Sequence, residues 1–134
     1  MAADAAQPIA EARHVLFRAG GERFALPLSA VREVVLPQPP FARVPRSGPA
    51  VRGAMNLRGR VIALVELGAL LELPHERLGP TAGQVLVLEG ERPGLGVVVQ
   101  AVLGVEVLGA GEPATVLDGA ALQARAAAQF GGRA

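Results

Sequence analysis

The chain contains no cysteine, no tyrosine and no lysine, and it has no long apolar run. Without cysteine it can form neither a disulfide framework nor a thiol nucleophile. No apolar run approaches the roughly 20 residues that a membrane-spanning helix needs, so direct membrane insertion is not expected. The start of the chain lacks the features of a signal peptide. Because 51% of the 134 residues are hydrophobic, a disordered chain is excluded, and we expect one soluble, cytoplasmic domain.

Side chains suited to catalysis are also scarce. The two histidines, His14 and His75, show no metal-ligand spacing, and we interpret both as surface residues. The segment Gly109-Ala110-Gly111 lacks the Gly-Lys-Ser sequence of a phosphate loop and is typical of a plain turn. We therefore expect no enzymatic activity, no catalytic residue, no metal and no cofactor.

Acidic residues are missing from the segment between Glu33 and Glu66, although the formal net charge of the chain is only +1. The segment carries five arginines, which are Arg43, Arg46, Arg52, Arg58 and Arg60. Such a stripe suits an acidic partner surface or phosphates. A small basic β-barrel that binds nucleic acid is therefore an alternative. We do not favour it, because readers of bases usually present several aromatic side chains, and only Phe41 lies here.

Short strands separated by turn residues dominate the chain from His14 onward. Gly20-Gly21 and Arg58-Gly59 are typical of tight hairpin turns. The strand after Arg58-Gly59 is apolar on both faces, which indicates that it is buried between two layers. Ser29 is predicted to cap a helical turn over residues 30–32, and Asp118 a helix over residues 119–129. This pattern predicts a mainly β fold of the barrel or sandwich type.

The segment Val51–Leu67, with Asn56-Leu57-Arg58-Gly59 at its turn, resembles the signature hairpin of CheW-type chemotaxis coupling domains. The hairpin Val15–Leu28, the element Val31-Arg32-Glu33-Val34 and the hairpin within residues 84–99 follow the same family in order and spacing. The resemblance implies two small, intertwined five-stranded β-barrels with a groove between them, short helices and a C-terminal helix.

The resemblance also implies a division of the chain. We expect a flexible tail over residues 1–13, a single domain over residues 14–130 and a frayed end over residues 131–134. Within the domain, the middle barrel is expected at about residues 37–92, and the second barrel at residues 14–36 plus 93–130. Family members continue with a further loop and β-hairpin after the strand that Leu103–Leu108 matches. Here the chain passes directly to the segment Thr115–Asp118, so the second barrel should be reduced.

By resemblance, the protein is a non-enzymatic adaptor. It would link the cytoplasmic tip of a methyl-accepting chemoreceptor to the regulatory domain of a histidine kinase. The missing hairpin implies reduced contact with the kinase, and the sheet edge that it leaves open allows self-association. A regulatory-domain fragment of a histidine kinase is a further alternative, because such kinases end in a similar module.

Arg58 is the most informative candidate for a site residue. It should pair with Glu33 or Glu66, and the resemblance favours Glu33. A buried pair that fixes the barrel is the preferred interpretation, and a role in docking is compatible with it. The valines after Ser29 either belong to the core or line a groove for a helical tip. The candidate partner-binding or site-shaping residues are Val31, Glu33, Val34, Gly53, Asn56, Arg58 and Glu66.

Overall fold

The computed structural model describes residues 13–74, 78–79, 81–90, 94–108 and 113–130. The strands in these ranges are β1 (Arg13–Ala19), β2 (Glu22–Pro27), β3 (Val31–Val35), β4 (Val51–Leu57), β5 (Arg60–Glu66), β6 (Gln84–Leu88), β7 (Leu95–Val99), β8 (Ala101–Val107) and β9 (Thr115–Val116). The helical elements are a 3-10 turn (Leu28–Ala30), α1 (Leu67–Leu70) and α2 (Gly119–Ala127). Among the described residues, no helix is long and apolar enough to cross a membrane.

The strands form two sheets, which confirms the predicted mainly β fold. A four-stranded sheet has the order β8-β1-β2-β9, and a five-stranded sheet has the order β3-β6-β7-β5-β4. Neighbours are antiparallel, except that β9 runs parallel to β2 and β7 runs parallel to β5. Backbone pairing among the described strands does not join β3 to β4, so the five-stranded unit is a sheet with two edges and not a closed barrel.

The observed pairing differs from the expected division at two strands. Both β3 and β7 belong to the five-stranded sheet, although the sequence placed their residues in the other barrel. The reason is that β6 pairs with both of them, in antiparallel register. A hairpin between β6 and β7 therefore keeps both in one sheet.

The five-stranded sheet is buried on both faces. Val65 of β5 belongs to a first core cluster that also includes residues of the four-stranded sheet and of α2. Ile62 and Leu64 belong to a second cluster on the opposite face. Side chains alternate between the two faces of a strand, so β5 supplies both cores, as its apolar sequence predicted. Across β1 and β2, the rings of Phe17 and Phe24 stack with their centroids 6.0 Å apart.

Capping was predicted correctly at one of two positions. The Asp118 carboxylate accepts a hydrogen bond from the Ala121 N–H at 2.9 Å, which confirms the predicted start of α2. The predicted cap at Ser29 is wrong, because the 3-10 turn already begins at Leu28 and has no side-chain cap. Ser29 therefore lies inside the turn.

Between β8 and α2, the described residues contain one strand, β9, of two residues. This agrees with a reduced second unit, because the smaller sheet has four strands and one of them is minimal. Arg13, placed in the predicted tail, is the first residue of β1. The rest of that tail, the predicted frayed end, His75 and the segment Gly109–Gly111 lie outside the described residues.

Candidate functional site

The hairpin of β4 and β5 presents an arginine at its tip. Leu57 and Arg60 are paired, so the loop consists of Arg58 and Gly59. Their φ angles are 52° and 85°, the positive pair that a type I′ turn requires. The Asn56 side-chain oxygen accepts a hydrogen bond from the Gly59 N–H at 2.8 Å and holds the turn. The Asn-Leu-Arg-Gly sequence thus fixes the position from which the Arg58 side chain extends.

Arg58 pairs with Glu33, as the resemblance predicted. Its Nη2 donates to both carboxylate oxygens of Glu33 at 2.7 Å. Glu33 lies on β3 and Arg58 on the hairpin that contains β4, and these strands are the opposite edges of the five-stranded sheet. The ion pair therefore bridges two edges that no backbone pairing joins among the described strands.

The expected burial of this pair is wrong. The Arg58 and Glu33 side chains are 66% and 27% exposed. Strand β7 pairs with β5 only from Ala63 onward, so the turn extends past the end of that neighbouring strand. An ion pair this exposed stabilises a fold by about 0.2–1 kcal/mol, since water screens the attraction. The pair therefore lies on the surface, where a partner can reach both charges.

Glu66 forms a separate, buried ion pair with Arg52. The Arg52 Nε and Nη2 donate to Glu66 Oε2 at 3.0 and 2.5 Å, and both side chains are 7% exposed. The same guanidinium donates to the carbonyl oxygens of Leu78 and Gly79 at 3.2 and 2.9 Å. It also lies 5.9 Å from the centre of the Phe41 ring. Arg52 thus joins the hairpin to two loops, which is a structural role.

The sequence placed Arg52 only in the basic stripe and missed this contact. Counting residues from the turn excludes one alternative but does not find the Arg52–Glu66 pair. Arg58 in the turn and Glu66 at the far end of β5 are separated by about seven residues of strand, or about 23 Å. Counted from the Leu57–Arg60 pair, Arg52 would lie opposite Val65; the register shift between Val51 and Gly53 instead pairs Val65 with Val51, and the Arg52 side chain reaches Glu66. Counting back from the turn would therefore have excluded the alternative pairing of Arg58 with Glu66.

Val31 and Val34 lie on one face of β3, and Glu33 lies on the other. Val31 and Val34 are opposite Leu88 and Leu86, which belong to the first core cluster. Residues directly opposite each other in a ladder project to the same face. Val31 packs against that core, whereas Val34 is exposed.

Val61 on β5 shares this face with Val65, because side chains four positions apart along a strand point the same way. It is 70% exposed. Val34 and Val61 thus extend the face of the first core into solvent, on strands β3 and β5, which β6 and β7 separate in the sheet. Leu36, just after β3, adds a third exposed apolar side chain.

Gly53 has a structural role in β4. Its φ is 142°, and a Cβ built on it would lie 2.8 Å from the Ala42 carbonyl oxygen. The backbone of residue 42 forms a bridge with Ala54 at this point. Of the seven candidate residues, the structure therefore brings Glu33, Asn56 and Arg58 together. It leaves Gly53 and Glu66 in structural contacts elsewhere, with Val31 in the core and Val34 on the surface.

A model of the CheW-like domain matches residues 13–124, which is most of the chain. The chain belongs to the CheW-like domain family. Comparison with curated protein sequences gave no match. Among solved structures, the scaffolding protein TtCheW of Thermoanaerobacter tengcongensis is similar in fold, with a TM-score of 0.65 and 22% sequence identity. The match covers 75% of this chain and 67% of that one.

Membership in the CheW-like family also indicates the general role of such a domain. Proteins of this family are scaffolds and not enzymes. In this CheW-like domain, the described residues contain no group of three or more His, Asp or Glu side chains that could hold a metal ion. Strand β3 and the β4–β5 hairpin expose a charged pair, Glu33–Arg58, and the apolar side chains of Val34 and Val61, which suits recognition of a protein surface.

Proposed function

We propose that this protein is a non-enzymatic adaptor in the cytoplasm that couples the tip of a chemoreceptor to the regulatory domain of a histidine kinase. The observation that carries the proposal is the exposed Glu33–Arg58 pair on the signature hairpin of a chain that belongs to a scaffold family. An ion pair that contributes little to stability and remains open to water is suited to recognition.

The apolar part of the proposed receptor site is formed by Val34 and Val61, with Leu36 nearby in sequence. A helix that docks in a groove inserts apolar side chains at regular spacing, and a polar rim sets its orientation. Here Arg58, at the tip of the hairpin, supplies a polar group of the rim, whereas Glu33 holds the guanidinium from the other face of β3. Arg58 uses Nη2 for Glu33, which leaves the Nε and Nη1 donors of the guanidinium to contact carboxylate or carbonyl oxygens of a partner.

The mechanism is stoichiometric docking. An adaptor shifts a kinase between active and inactive states only to the extent that it binds one state more tightly than the other. No covalent step and no cofactor are part of this proposal. The rigid hairpin holds the receptor tip, and the sheets hold the kinase domain at a fixed distance.

The reduced sheet gives the proposal a second part. The region between β8 and α2 contributes one strand of two residues among those described. We propose that it offers less surface to the kinase than the larger sheet offers to the receptor. Kinase binding should then be weak, and the protein would act as a specialised adaptor.

The nucleic-acid alternative loses support from the pairing of the arginines. Arg52 and Arg58 already contact carboxylates, so two of the five arginines in the stripe are neutralised locally. The exposed side chains of Arg43, Arg46 and Arg60 are too few to form an extended phosphate-binding surface.

Sedimentation velocity tests the proposal with the intact chain mixed separately with a receptor-tip fragment and with a kinase regulatory domain. We expect a complex with the receptor tip and a weaker complex with the kinase domain at the same concentrations. Binding to neither fragment would contradict the adaptor function. Equally tight binding to both would contradict the specialised form and leave the adaptor function standing.

A further inference from the structure

Strand β8 is the end strand of the four-stranded sheet and has an apolar face. It pairs with β1 on one side and, within the described residues, with no strand on the other. Val105 and Val107 lie opposite Val15 and Arg13, so they share the sheet face that carries the first core. They are nevertheless 47% and 43% exposed. This edge thus combines unpaired backbone groups with an uncovered continuation of the core face.

We propose that β8 pairs with β8 of a second copy of this chain in an antiparallel, two-fold symmetric contact. Free edge strands are templates for pairing with another chain, and charges or bulges often prevent this. Here the bulge lies at Leu103, between the residues paired with Leu16 and Phe17. Residues 104–107 pair with β1 without a register shift, and the positive φ of 153° within this stretch is at Gly104, next to the bulge.

The sequence of β8 selects one register. A two-fold axis perpendicular to the sheet places one residue of β8 opposite the same residue of the second copy. It also keeps the core faces of the two copies on the same side of the joined sheet. Centring the axis on Glu106 would oppose two carboxylates, which is destabilising. Centring it on Gly104 would put the bulged Leu103 into the middle of the ladder. Centring it on Val105 places Val105 opposite its own copy and each Glu106 opposite Gly104.

The register on Val105 joins the exposed apolar side chains of the two copies. The four-stranded sheets would continue into one eight-stranded sheet across the axis. Val105 of both copies would be covered on the core face, and Glu106 would stay at the solvent face beside His14, its neighbour on β1. This edge suits a second copy of the chain, because a single register both covers Val105 and keeps the two Glu106 carboxylates apart.

A single cysteine tests the register directly, because the natural chain contains none. Directly opposed residues in a ladder have Cβ atoms about 4.5–5.5 Å apart, close to disulfide geometry. Val105→Cys should therefore form a disulfide-linked dimer under mild oxidation. In the same register, position 107 lies about 13 Å from its own copy, so Val107→Cys should cross-link poorly. Val61→Cys, on the other sheet and more exposed, is the matched control for random collision.

Cross-linking of Val105→Cys that is no faster than that of Val61→Cys would overturn the proposal. Sedimentation equilibrium of the cysteine-free chain provides the second measurement. We expect a concentration-dependent dimer that Val105→Lys weakens by at least about tenfold, and that Val61→Lys leaves unchanged. A chain that stays monomeric throughout the concentration range, or that dimerises equally after Val105→Lys, would also overturn it.

Discussion

Arg52 and Arg58 belong to the same hairpin and each contacts a glutamate. They differ in burial, and therefore in the loss of stability expected when either arginine is replaced. The Arg52–Glu66 pair is almost fully enclosed and its guanidinium also holds two loop carbonyls. The Arg58–Glu33 pair is open to water on its arginine side. Removing one partner of a buried pair leaves an uncompensated charge, whereas removing one partner of an exposed pair lets water replace it.

We expect Arg52→Ala to lower the free energy of unfolding by about 3–5 kcal/mol. Arg58→Ala should lower it by less than about 1 kcal/mol, because the pair is exposed. Urea denaturation of both variants and of the unchanged chain measures the difference. Equal losses of stability in the two variants would contradict the assignment of a structural role to Arg52 and a surface role to Arg58.

Gly53 provides a second test at the residue scale. A Cβ at this position would meet the Ala42 carbonyl oxygen at 2.8 Å, and the φ of 142° is unfavourable for any side chain. We expect Gly53→Ala to cost about 1–3 kcal/mol, from backbone strain and the displaced contact. Gly59 also has a positive φ, but a Cβ built on it would meet nothing within 4 Å. Comparing Gly59→Ala with Gly53→Ala therefore separates the cost of backbone strain from the cost of the contact with Ala42. A Gly53→Ala variant no less stable than Gly59→Ala would count against this contact.

The pairing of Arg58 with Glu33 could be predicted through the family resemblance. Its exposure could not, because a sequence does not show how far a turn extends past the end of a sheet. The buried pair was missed for a different reason. Arg52 lies at a bulge in β4, where the register shifts between Val51 and Gly53. Such a shift moves a side chain relative to its partners and leaves no clear mark in the pattern.

At the scale of elements, turns and alternation located most strands correctly. The hairpin at Arg58-Gly59 and the helix after Asp118 appear where the residue types indicated. Two features had no sequence signal. The parallel pairing of β5 with β7 depends on how distant segments meet, and β9 is too short to show a period.

The two predicted helix caps, Asp118 and Ser29, provide a pair of variants whose effects on stability can be compared. Asp118→Ala should destabilise the protein by about 1 kcal/mol, because the Ala121 N–H at the start of α2 loses its acceptor. Ser29→Ala should have an effect below about 0.5 kcal/mol, because the 3-10 turn has no side-chain cap. Thermal unfolding followed by circular dichroism compares the two. Similar melting temperatures for both variants would contradict the capping role of Asp118.

At the scale of the whole molecule, β5 explains how a short chain builds two cores. Its alternate residues belong to different core clusters, so the five-stranded sheet lies between the two clusters and contributes to both. The sequence predicted a strand buried on both faces but assigned β3 and β7 to the other unit. The number of strands in each sheet depends on long-range pairing, which local pattern does not determine.

At the same scale, we propose that the tip of the β4–β5 hairpin recognises the receptor. Arg58→Asn is the sharpest variant, since asparagine is favoured at this position of a type I′ turn, so the turn is kept while the guanidinium and its contact with Glu33 are removed. Arg60→Asn removes the same charge two residues later and is the matched control. Neither change should lower the melting temperature appreciably.

Isothermal titration calorimetry of a receptor-tip fragment into the unchanged chain and these two variants tests the central claim most directly. We expect the unchanged chain and Arg60→Asn to bind the fragment with similar affinity. Arg58→Asn should bind at least about tenfold more weakly, a loss of about 1.4 kcal/mol. Failure of the unchanged chain to bind, or equal affinity of all three proteins, would contradict the account.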